Sequence, residues 1–344
     1  MVFIDISSGR RVLYRLPENA LPQAGNNGKF KLAERPHPPN YKKGGEGAWV
    51  RECARHQRMN VLKGIILGIV QGLTEFLPIS SSGHLSLFQY MFGMSGEDSL
   101  MITVLLHIGT LLAVFICFKK TIIELVLEAA ALVKDIFARR FSWKDMNEKR
   151  RMLFYFVISC VPLLFLLIPA GGGENIMDKV AVFSNDGRIL AEGICFLFTG
   201  VLLIFATWRY SNLKKNEKMN PLFAFIVGVA QVIAAAFPGI SRSGSTIGTG
   251  MALGVKKEYM VRYSFILGIP AILAANVVEL KDAVETGAEF EFLPILFGVI
   301  FATITGILAI KLIQYILKKD LFKYFGYYCL VIGVVAIIAN FVRG

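Results

Sequence analysis

The sequence is poor in charge. Only 18% of its 344 residues are Asp, Glu, Lys or Arg, whereas 55% are hydrophobic, and an average soluble domain carries roughly 25% charged residues. Several uncharged apolar runs reach the roughly 20 residues that a helix needs to cross the hydrocarbon layer of a membrane. This composition excludes an ordinary soluble protein and predicts an all-α polytopic membrane protein.

The sequence also lacks paired cysteines. Its five cysteines show no paired spacing, and four lie in apolar runs, where a thiol behaves as a small hydrophobic group. We therefore predict neither a disulfide nor a cysteine metal cluster. The formal net charge of +12 does not indicate a nucleic acid partner, because the basic residues between the apolar runs set orientation in the membrane.

Residues 1–58 lack a sustained apolar pattern. They are rich in Pro, Gly, Asn and charge, with 11 basic and 5 acidic residues, which predicts a disordered basic tail. No apolar segment of signal-peptide length precedes Pro17, so we expect no cleaved secretory signal. Met59 directly precedes the first apolar segment, and translation starting there is an alternative reading. Residues 59–344 form the predicted membrane domain.

Two stretches of this domain resemble each other. One reads GIVQGLTEFLPISSSGHL from Gly68, and the other reads GVAQVIAAAFPGISRSGST from Gly228. A constant offset of 160 residues aligns four identical pairs: Gly68 with Gly228, Gln71 with Gln231, Pro78 with Pro238, and Ser81 with Ser241. Each copy runs from an apolar segment through a proline into a turn of glycine and hydroxyl residues. Because irregular backbone inside a membrane must be covered by protein or line a cavity, we predict two re-entrant helical hairpins.

Each hairpin begins a repeat, the first at about 61–208 and the second at about 221–341. Every repeat contains one hairpin and three predicted spans, namely 100–118, 152–169 and 188–208, then 259–280, 292–317 and 321–341. Residues 121–138 have helical spacing and are predicted to lie along the membrane surface. Three crossings per repeat place the second repeat upside down relative to the first, so we predict an inverted repeat.

The loop charges agree with one orientation. Loops 119–151, 209–220 and 318–323 are basic, which predicts that they are cytoplasmic, whereas loops 94–99, 169–188 and 281–291 are acidic. In this orientation both hairpin tips meet near the middle of the membrane, as in inverted-repeat transporters.

The two tips would bring together complementary polar groups. Gln71 and Glu75 are spaced i, i+4 and share one helical face, so both can reach one ligand or one metal ion. Arg242 needs an anionic partner or a wet cavity inside a membrane, and its planar fork suits phosphate oxygens. His84 adds an imidazole. The turns also supply hydroxyls and backbone N–H groups suited to a phosphate, with hydroxyls from Ser80, Ser81, Ser82, Ser241, Ser243, Ser245 and Thr246.

Each polar residue also has a plain structural alternative. Arg242 could extend to the membrane interface, Glu75 could form only a structural ion pair with it, and His84 could cap a helix. The serines alone are ordinary turn residues. His107, in an apolar span, is interpreted as a structural histidine.

These motifs carry a family resemblance. The segment QGLTEFLPISSSGH resembles the first signature of the undecaprenyl-diphosphate phosphatase family, the bacitracin-resistance proteins, and PGISRSGST matches the second. The stretch YSFILGIP, from Tyr263 to Pro270, is similar to a third block. The resemblance covers about residues 59–341. Gln71 stands at a position where the family has Glu or Gln, which leaves one ionisable group fewer.

The resemblance implies hydrolysis of undecaprenyl diphosphate to undecaprenyl phosphate and inorganic phosphate, with a divalent cation such as Mg²⁺ or Ca²⁺. This reaction recycles the lipid carrier of bacterial wall precursors and confers bacitracin resistance. The site would face the periplasmic side of the bacterial inner membrane. Glu75 and Gln71 would hold the metal or tune a base, while Ser81 and His84 would supply the nucleophile and proton transfer. Arg242, with Ser80, Ser241, Ser243 and Thr246, would bind the diphosphate.

A second function class remains open. A transporter or flippase for a phosphorylated polyprenyl lipid would share the inverted repeat and the phosphate-binding turn. Glu75 and His84 favour a hydrolase, because an anion-binding site does not need them. A purely structural scaffold would not explain a buried Arg242. The partners expected are the polyprenyl diphosphate and membrane lipids, with a homodimer among the candidate assemblies.

Overall fold

The structure, a computed structural model, describes most of the predicted membrane domain. The described residues are 60–92, 94, 97–140, 142, 146–171, 174–176, 189–213, 217–237, 239–285, 291–319 and 321–343. The predicted basic tail, residues 1–58, lies outside this range. Pro238, one of the two aligned prolines, also lies outside it.

The described chain is built almost entirely of helices. In chain order they are α1 (Val61–Phe76), α2 (Ser81–Met91), α3 (Glu97–Cys117), α4 (Lys119–Phe137), α5 (Glu148–Cys160), a 3-10 helix (Val161–Leu167), α6 (Leu190–Asn212), α7 (Pro221–Ala236), α8 (Arg242–Ala252), α9 (Lys257–Glu285), α10 (Phe292–Lys318) and α11 (Lys323–Arg343). Strands β1 (Pro169–Gly171) and β2 (Glu174–Asn175) form one small antiparallel ladder, with Pro169 opposite Asn175. The all-α class is confirmed, with this ladder as a local addition.

The helices confirm a multi-pass membrane protein. Within the described residues, α6, α10 and α11 are each long and apolar enough to cross a membrane. Helices α3 and α4 pass the same test only as a pair, and they are bent by 84° where they join. The predicted surface segment 121–138 therefore corresponds to α4, a separate helix that turns sharply away from the α3 axis.

The predicted span 152–169 is not one regular α-helix. Helix α5 ends at Cys160, and the chain continues as the 3-10 helix with Pro162 in its first turn. Proline lacks a backbone N–H and clashes with the preceding turn, so it disfavours continuation of an α-helix. The predicted span 259–280 lies inside α9, which accommodates Pro270 within a 29-residue helix.

Two asparagines separated by the same 160-residue offset begin the two hairpins. The Asn60 side chain accepts a hydrogen bond from Lys63 N at the start of α1, and the Asn220 side chain accepts one from Phe223 N at the start of α7. Such caps satisfy backbone N–H groups that have no partner within the helix. The 160-residue correspondence between the two stretches therefore extends to the residues that cap α1 and α7.

Glycines let α1 pack closely on α10. Gly64, Gly68 and Gly72 recur every four residues, and a Cβ at any of them would overlap backbone oxygen atoms of α10. Small residues at this spacing allow two helix backbones to approach in a membrane. In the second hairpin, Gly228 of α7 lies against Ser159 of α5, where a Cβ would stand 2.6 Å from the Ser159 carbonyl oxygen.

The tips of the hairpins touch each other. Gly239 N donates a hydrogen bond to Ser82 Oγ at 3.0 Å, and Ser243 Oγ donates to the Leu77 carbonyl at 3.4 Å. Behind this contact, Phe76 packs edge-on against Phe265 of α9, with ring centroids 5.1 Å apart. The two turns and α9 therefore enclose the region where the predicted functional residues lie.

Candidate active site

Glu75 is the centre of the polar cluster. Its side chain is 6% exposed, and Oε1 forms an ion pair with Arg242 Nη2. Oε2 accepts hydrogen bonds from Ser81 Oγ at 2.6 Å and from Gln71 Nε2 at 3.1 Å. The Nε2 atom of His107 lies 3.6 Å from the same oxygen. One carboxylate thus joins a hydroxyl, an amide, a guanidinium and an imidazole.

Ser81 reaches Glu75 because another serine caps α2. Ser80 precedes the helix, and its Oγ accepts from Gly83 N at 3.2 Å. The φ of Ser80 is 70°, a conformation that is uncommon for residues other than glycine. Ser81 is consequently the first helical residue, and its hydroxyl is free to donate to Glu75.

In the second hairpin a different serine of the aligned turn caps the helix. Ser241, which aligns with Ser81, is itself the cap of α8, and its Oγ accepts from Gly244 N at 3.0 Å. Its backbone N–H donates to Thr199 Oγ1 at 3.2 Å, and its Oγ lies 3.4 Å from Ser243 Oγ. These contacts of Ser241 hold the turn that leads into α8. A direct diphosphate contact by Ser80, Ser241 or Ser243 stays a prediction.

Residues of α9 fix the position of the Arg242 side chain. Besides its ion pair with Glu75, its Nη1 donates to the Ser264 carbonyl at 3.3 Å. A Cβ at Gly268, one turn further along α9, would overlap the guanidinium. Thr246 lies one turn after Arg242, and its Oγ1 is 2.6 Å from Ser264 Oγ. Arg242 is therefore an internal partner of Glu75, and the interpretation that it extends to the membrane interface is wrong.

His84 lies beside this cluster but points elsewhere. Its Nδ1 is 2.7 Å from the Ser80 carbonyl oxygen, and its Nε2 is 2.7 Å from the Tyr328 hydroxyl. The Tyr328 ring lies nearly parallel to the imidazole, and Phe196 meets it edge-on. Among the described residues no hydrogen bond joins His84 to Glu75, Ser81 or Arg242. The structure therefore separates Ser81 from His84, the two residues predicted to supply the nucleophile and proton transfer.

Two further residues of the site were missed by sequence reasoning. His107 was interpreted as structural, yet it faces the Glu75 carboxylate. An ionisable residue in the middle of an apolar span is itself a signal for a functional role. Tyr328 carried no such signal, because a tyrosine near the start of a spanning helix is typical of the membrane interface.

The donor atoms suit a cation that is shared with a substrate. Gln71 Oε1 is buried without a hydrogen-bond partner, next to the Glu75 carboxylate. No group of three His, Cys, Asp or Glu side chains that could hold a metal occurs in the described part of the chain. Mg²⁺ is often bound through one or two carboxylates together with substrate phosphates. Gln71 and Glu75 fit that arrangement better than a complete protein cage.

Comparison with known proteins finds one matching family and several similar proteins. The family described as "Bacitracin resistance protein BacA" matches residues 64–335. The chain is 40% identical over 282 residues to a protein of Halothermothrix orenii, which covers 81% of this chain and 98% of that protein. It is 38% identical over 290 residues to a protein of Methanosphaera stadtmanae, which covers 83% of this chain and 99% of that protein. Both relatives carry the name undecaprenyl-diphosphatase.

Proposed function

The chain belongs to the BacA family of bacitracin resistance proteins, and we propose that it hydrolyses undecaprenyl diphosphate to undecaprenyl phosphate and inorganic phosphate. The observation that carries this proposal is the Glu75 carboxylate, which contacts the Ser81 hydroxyl and the Arg242 guanidinium together. The proposed base, Glu75, thus contacts both the proposed nucleophile and the phosphate-binding guanidinium. Phosphoryl transfer depends mainly on such positioning and charge stabilisation.

Substrate binding begins with an exchange of partners at Arg242. The diphosphate carries more negative charge than one carboxylate, and two phosphate oxygens match the guanidinium fork. The Arg242 side chain is 19% exposed, compared with 6% for Glu75, so an entering anion reaches Arg242 first. Once the diphosphate takes Arg242, the Glu75 carboxylate loses its cation and is available to take the Ser81 proton.

The chemical step follows from the Ser81–Glu75 contact. Ser81 Oγ attacks the terminal phosphorus as Glu75 Oε2 takes its proton, and the electron pair of the breaking P–O bond leaves with undecaprenyl phosphate. Water then attacks the phosphoserine, a proton passes through Glu75 back to Ser81 Oγ, and inorganic phosphate leaves. A bound Mg²⁺ or Ca²⁺ would neutralise phosphate charge, with Gln71 and Glu75 as its protein ligands.

The geometry supports Ser81 over His84 as the nucleophile. Ser81 has a carboxylate base at hydrogen-bond distance, whereas both ring nitrogens of His84 already have partners. His84 is assigned proton transfer. The Glu75–Ser81 contact also favours hydrolysis over lipid flipping, since a transported phosphate needs a cation but no nucleophile with its base.

We further propose the inverted repeat, with both hairpins re-entrant. In support, α1 packs against α10 of the other repeat, and α7 packs against α5 of the first, through the aligned glycines Gly68 and Gly228. The capping asparagines Asn60 and Asn220 keep the same offset. The loop charges support one orientation of this repeat. The family resemblance further implies a site that faces the periplasmic side of the bacterial inner membrane, where hydrolysis would recycle the lipid carrier and confer bacitracin resistance.

The surface helix fits this orientation. Apolar side chains on α4 are 48% to 85% exposed: Ile123, Val126, Leu127, Val133, Ile136 and Phe137. Its polar side is held to the start of α5, where Arg150 pairs with Glu128 at 2.7 Å and with Asp135 at 2.9 Å. Membrane lipids are the proposed partner of the apolar side. A homodimer stays a prediction.

Phosphate release from undecaprenyl diphosphate by the purified protein tests the activity. We expect release that EDTA abolishes and that added Mg²⁺ or Ca²⁺ restores. Absence of release under all of these conditions, together with lipid transfer across proteoliposomes, would overturn hydrolysis and favour the flippase.

For the topology, single cysteines introduced near Gly173 and Gly287 should react with an external reagent, and those near Asn147 and Asn216 should not. Uniform labelling of all four would contradict the inverted arrangement.

A further inference from the structure

The hydrogen-bond partners of His84 restrict which of its ring nitrogens can exchange a proton. The Ser80 carbonyl oxygen only accepts hydrogen bonds, and it lies 2.7 Å from Nδ1. Nδ1 therefore carries a hydrogen whether the ring is neutral or protonated. His84 can therefore gain or lose a proton only at Nε2.

Within the part of the chain that the structure describes, the one hydrogen-bond partner of Nε2 is the hydroxyl of Tyr328. The two atoms are 2.7 Å apart, and a tyrosine hydroxyl can donate to a neutral imidazole or accept from a protonated one. The rings are 5.7 Å apart between centroids, with only 6° between their planes. His84 is 5% exposed and Tyr328 is 41% exposed, so Tyr328 lies between the histidine and the surroundings of the helix bundle.

We propose that Tyr328 is a positioning residue for His84, because its hydroxyl holds the ring in one orientation and is the exchange partner of Nε2. A proton that arrives from water at the Tyr328 oxygen releases the original Tyr328 proton to Nε2, which leaves Tyr328 neutral and His84 protonated. The reverse transfer returns His84 to the neutral state. This inference rests on the proposed role of His84 in proton transfer, and it extends the site to α11, 244 residues along the chain.

The Phe196 ring supports a fixed orientation. It meets the imidazole edge-on at 5.0 Å between centroids and is itself fully buried. The ring of His84 therefore has packing contacts on two sides in addition to its two hydrogen bonds. Removal of the Tyr328 hydroxyl alone would keep this packing and leave Nε2 without its partner.

The test is a double-mutant cycle of Tyr328→Phe and His84→Gln, with Tyr327→Phe as the matched control. Tyr327 neighbours Tyr328 on α11 and packs against Tyr324. General acid–base groups contribute typically 10²–10⁴-fold. We therefore expect Tyr328→Phe to lower kcat by about 10- to 100-fold, to change KM by less than about twofold, and to have little further effect when His84 is already Gln. Tyr327→Phe should retain wild-type kcat.

The outcomes separate this inference from the proposed function. If His84→Gln is inactive while Tyr328→Phe has wild-type kcat, Tyr328 has no such role, and the hydrolase assignment stands. Multiplicative effects in the cycle would show that Tyr328 acts independently of His84 and would also overturn the inference. A wild-type rate for His84→Gln would refute both the role of His84 and that of Tyr328.

If Tyr328→Phe does not fold, fluorotyrosine at position 328 replaces it. Fluorination keeps the ring and the hydroxyl but makes the hydroxyl more acidic, so kcat should change at position 328 and not at position 327. Equal kcat values at both positions would contradict the proposal.

Discussion

Ser81 donates its hydroxyl hydrogen to Glu75 Oε2 across 2.6 Å, although the two residues belong to different helices of the first hairpin. The contact requires the turn after α1 to bring the first residue of α2 back over the carboxylate. A hydrogen bond from a hydroxyl to a carboxylate is charge-assisted and short. The turn therefore holds the Ser81 hydroxyl against the carboxylate, and the proposed nucleophilic role of Ser81 depends on this contact.

Replacement of Ser81 by Ala should remove the nucleophile and leave the diphosphate site in place. We expect kcat to fall by several orders of magnitude with little change in KM, because the lost interaction belongs to the transition state. Substrate affinity, measured directly, should stay within about twofold of wild type. Ser86→Ala, on the same helix, is the control. Near-wild-type hydrolysis by Ser81→Ala would exclude Ser81 as the nucleophile.

Replacement of Glu75 by Gln should reduce both stability and activity. It leaves the Arg242 charge without its ion-pair partner, and breaking a buried pair costs about 3–5 kcal/mol. The double variant Glu75→Gln with Arg242→Gln removes both charges, so we expect it to recover stability but not phosphatase activity. Thermal unfolding in detergent and phosphate release measure the two effects. A double variant that is no more stable than Glu75→Gln alone would show that the pair does not stabilise the fold.

Replacement of Gly268 by Ala should disturb Arg242 without unfolding α9. The added methyl group would overlap the guanidinium, and a misplacement of about 1 Å can cost about 10²-fold in rate. We expect kcat/KM to fall by about this factor while the melting temperature is retained. Gly248→Ala is the matched control, because its Cβ would stand at an ordinary 3.5 Å from the nearest side chain. Equal activities for the two variants would contradict the role of Gly268 in positioning Arg242.

The attachment of α4 to α5 should weaken in acid. The hydrogen bond from Asn147 lowers the pKa of Glu128, burial opposes this shift, and the hydrogen bond from Arg150 adds to it. Because the folded-state pKa lies below the unfolded value, ionised Glu128 contributes its full stability above the ordinary value of 4.5. That contribution is lost as the pH falls through the folded-state pKa.

Melting temperatures measured between pH 7 and pH 3 test this dependence. Wild type should exceed Glu128→Gln at neutral pH, and the difference should vanish in acid. Glu124→Gln is the control, because the Glu124–Lys149 pair is more exposed and exposed pairs contribute little. A constant difference between wild type and Glu128→Gln across the range would refute the linkage.

Sequence reasoning was most successful where the relevant interactions are local. The i, i+4 spacing of Gln71 and Glu75 predicted a shared helical face, and their side chains are indeed hydrogen-bonded. The expectation that Arg242 needs an anionic partner or a wet cavity is met by its ion pair with Glu75, which the sequence predicted as a structural alternative. Both inferences use helix geometry and the cost of a buried charge, which can be read without tertiary coordinates.

The side-chain directions at the tip could not be read in the same way. They depend on whether Ser80 or Ser81 begins α2, and the two hairpins make different choices at this point. The partners His107 and Tyr328 come from α3 and α11, whose packing against the hairpin is a tertiary property. The sequence therefore predicted which groups are present at the site better than it predicted which groups touch.

The capping serines Ser80 and Ser241 are 161 residues apart, one more than the offset that aligns the two stretches. A side-chain change alone therefore cannot make the two stretches equivalent. Ala235 occupies the position equivalent to Glu75, so Ala235→Glu would restore the missing carboxylate to the second copy. It would not restore a second active site, since Ser241 already uses its hydroxyl to cap α8, whereas the first copy leaves that duty to Ser80. An engineer who wished to make the two stretches equivalent would have to move a helix start as well as change a side chain, because the stretches differ in backbone as well as in side-chain chemistry.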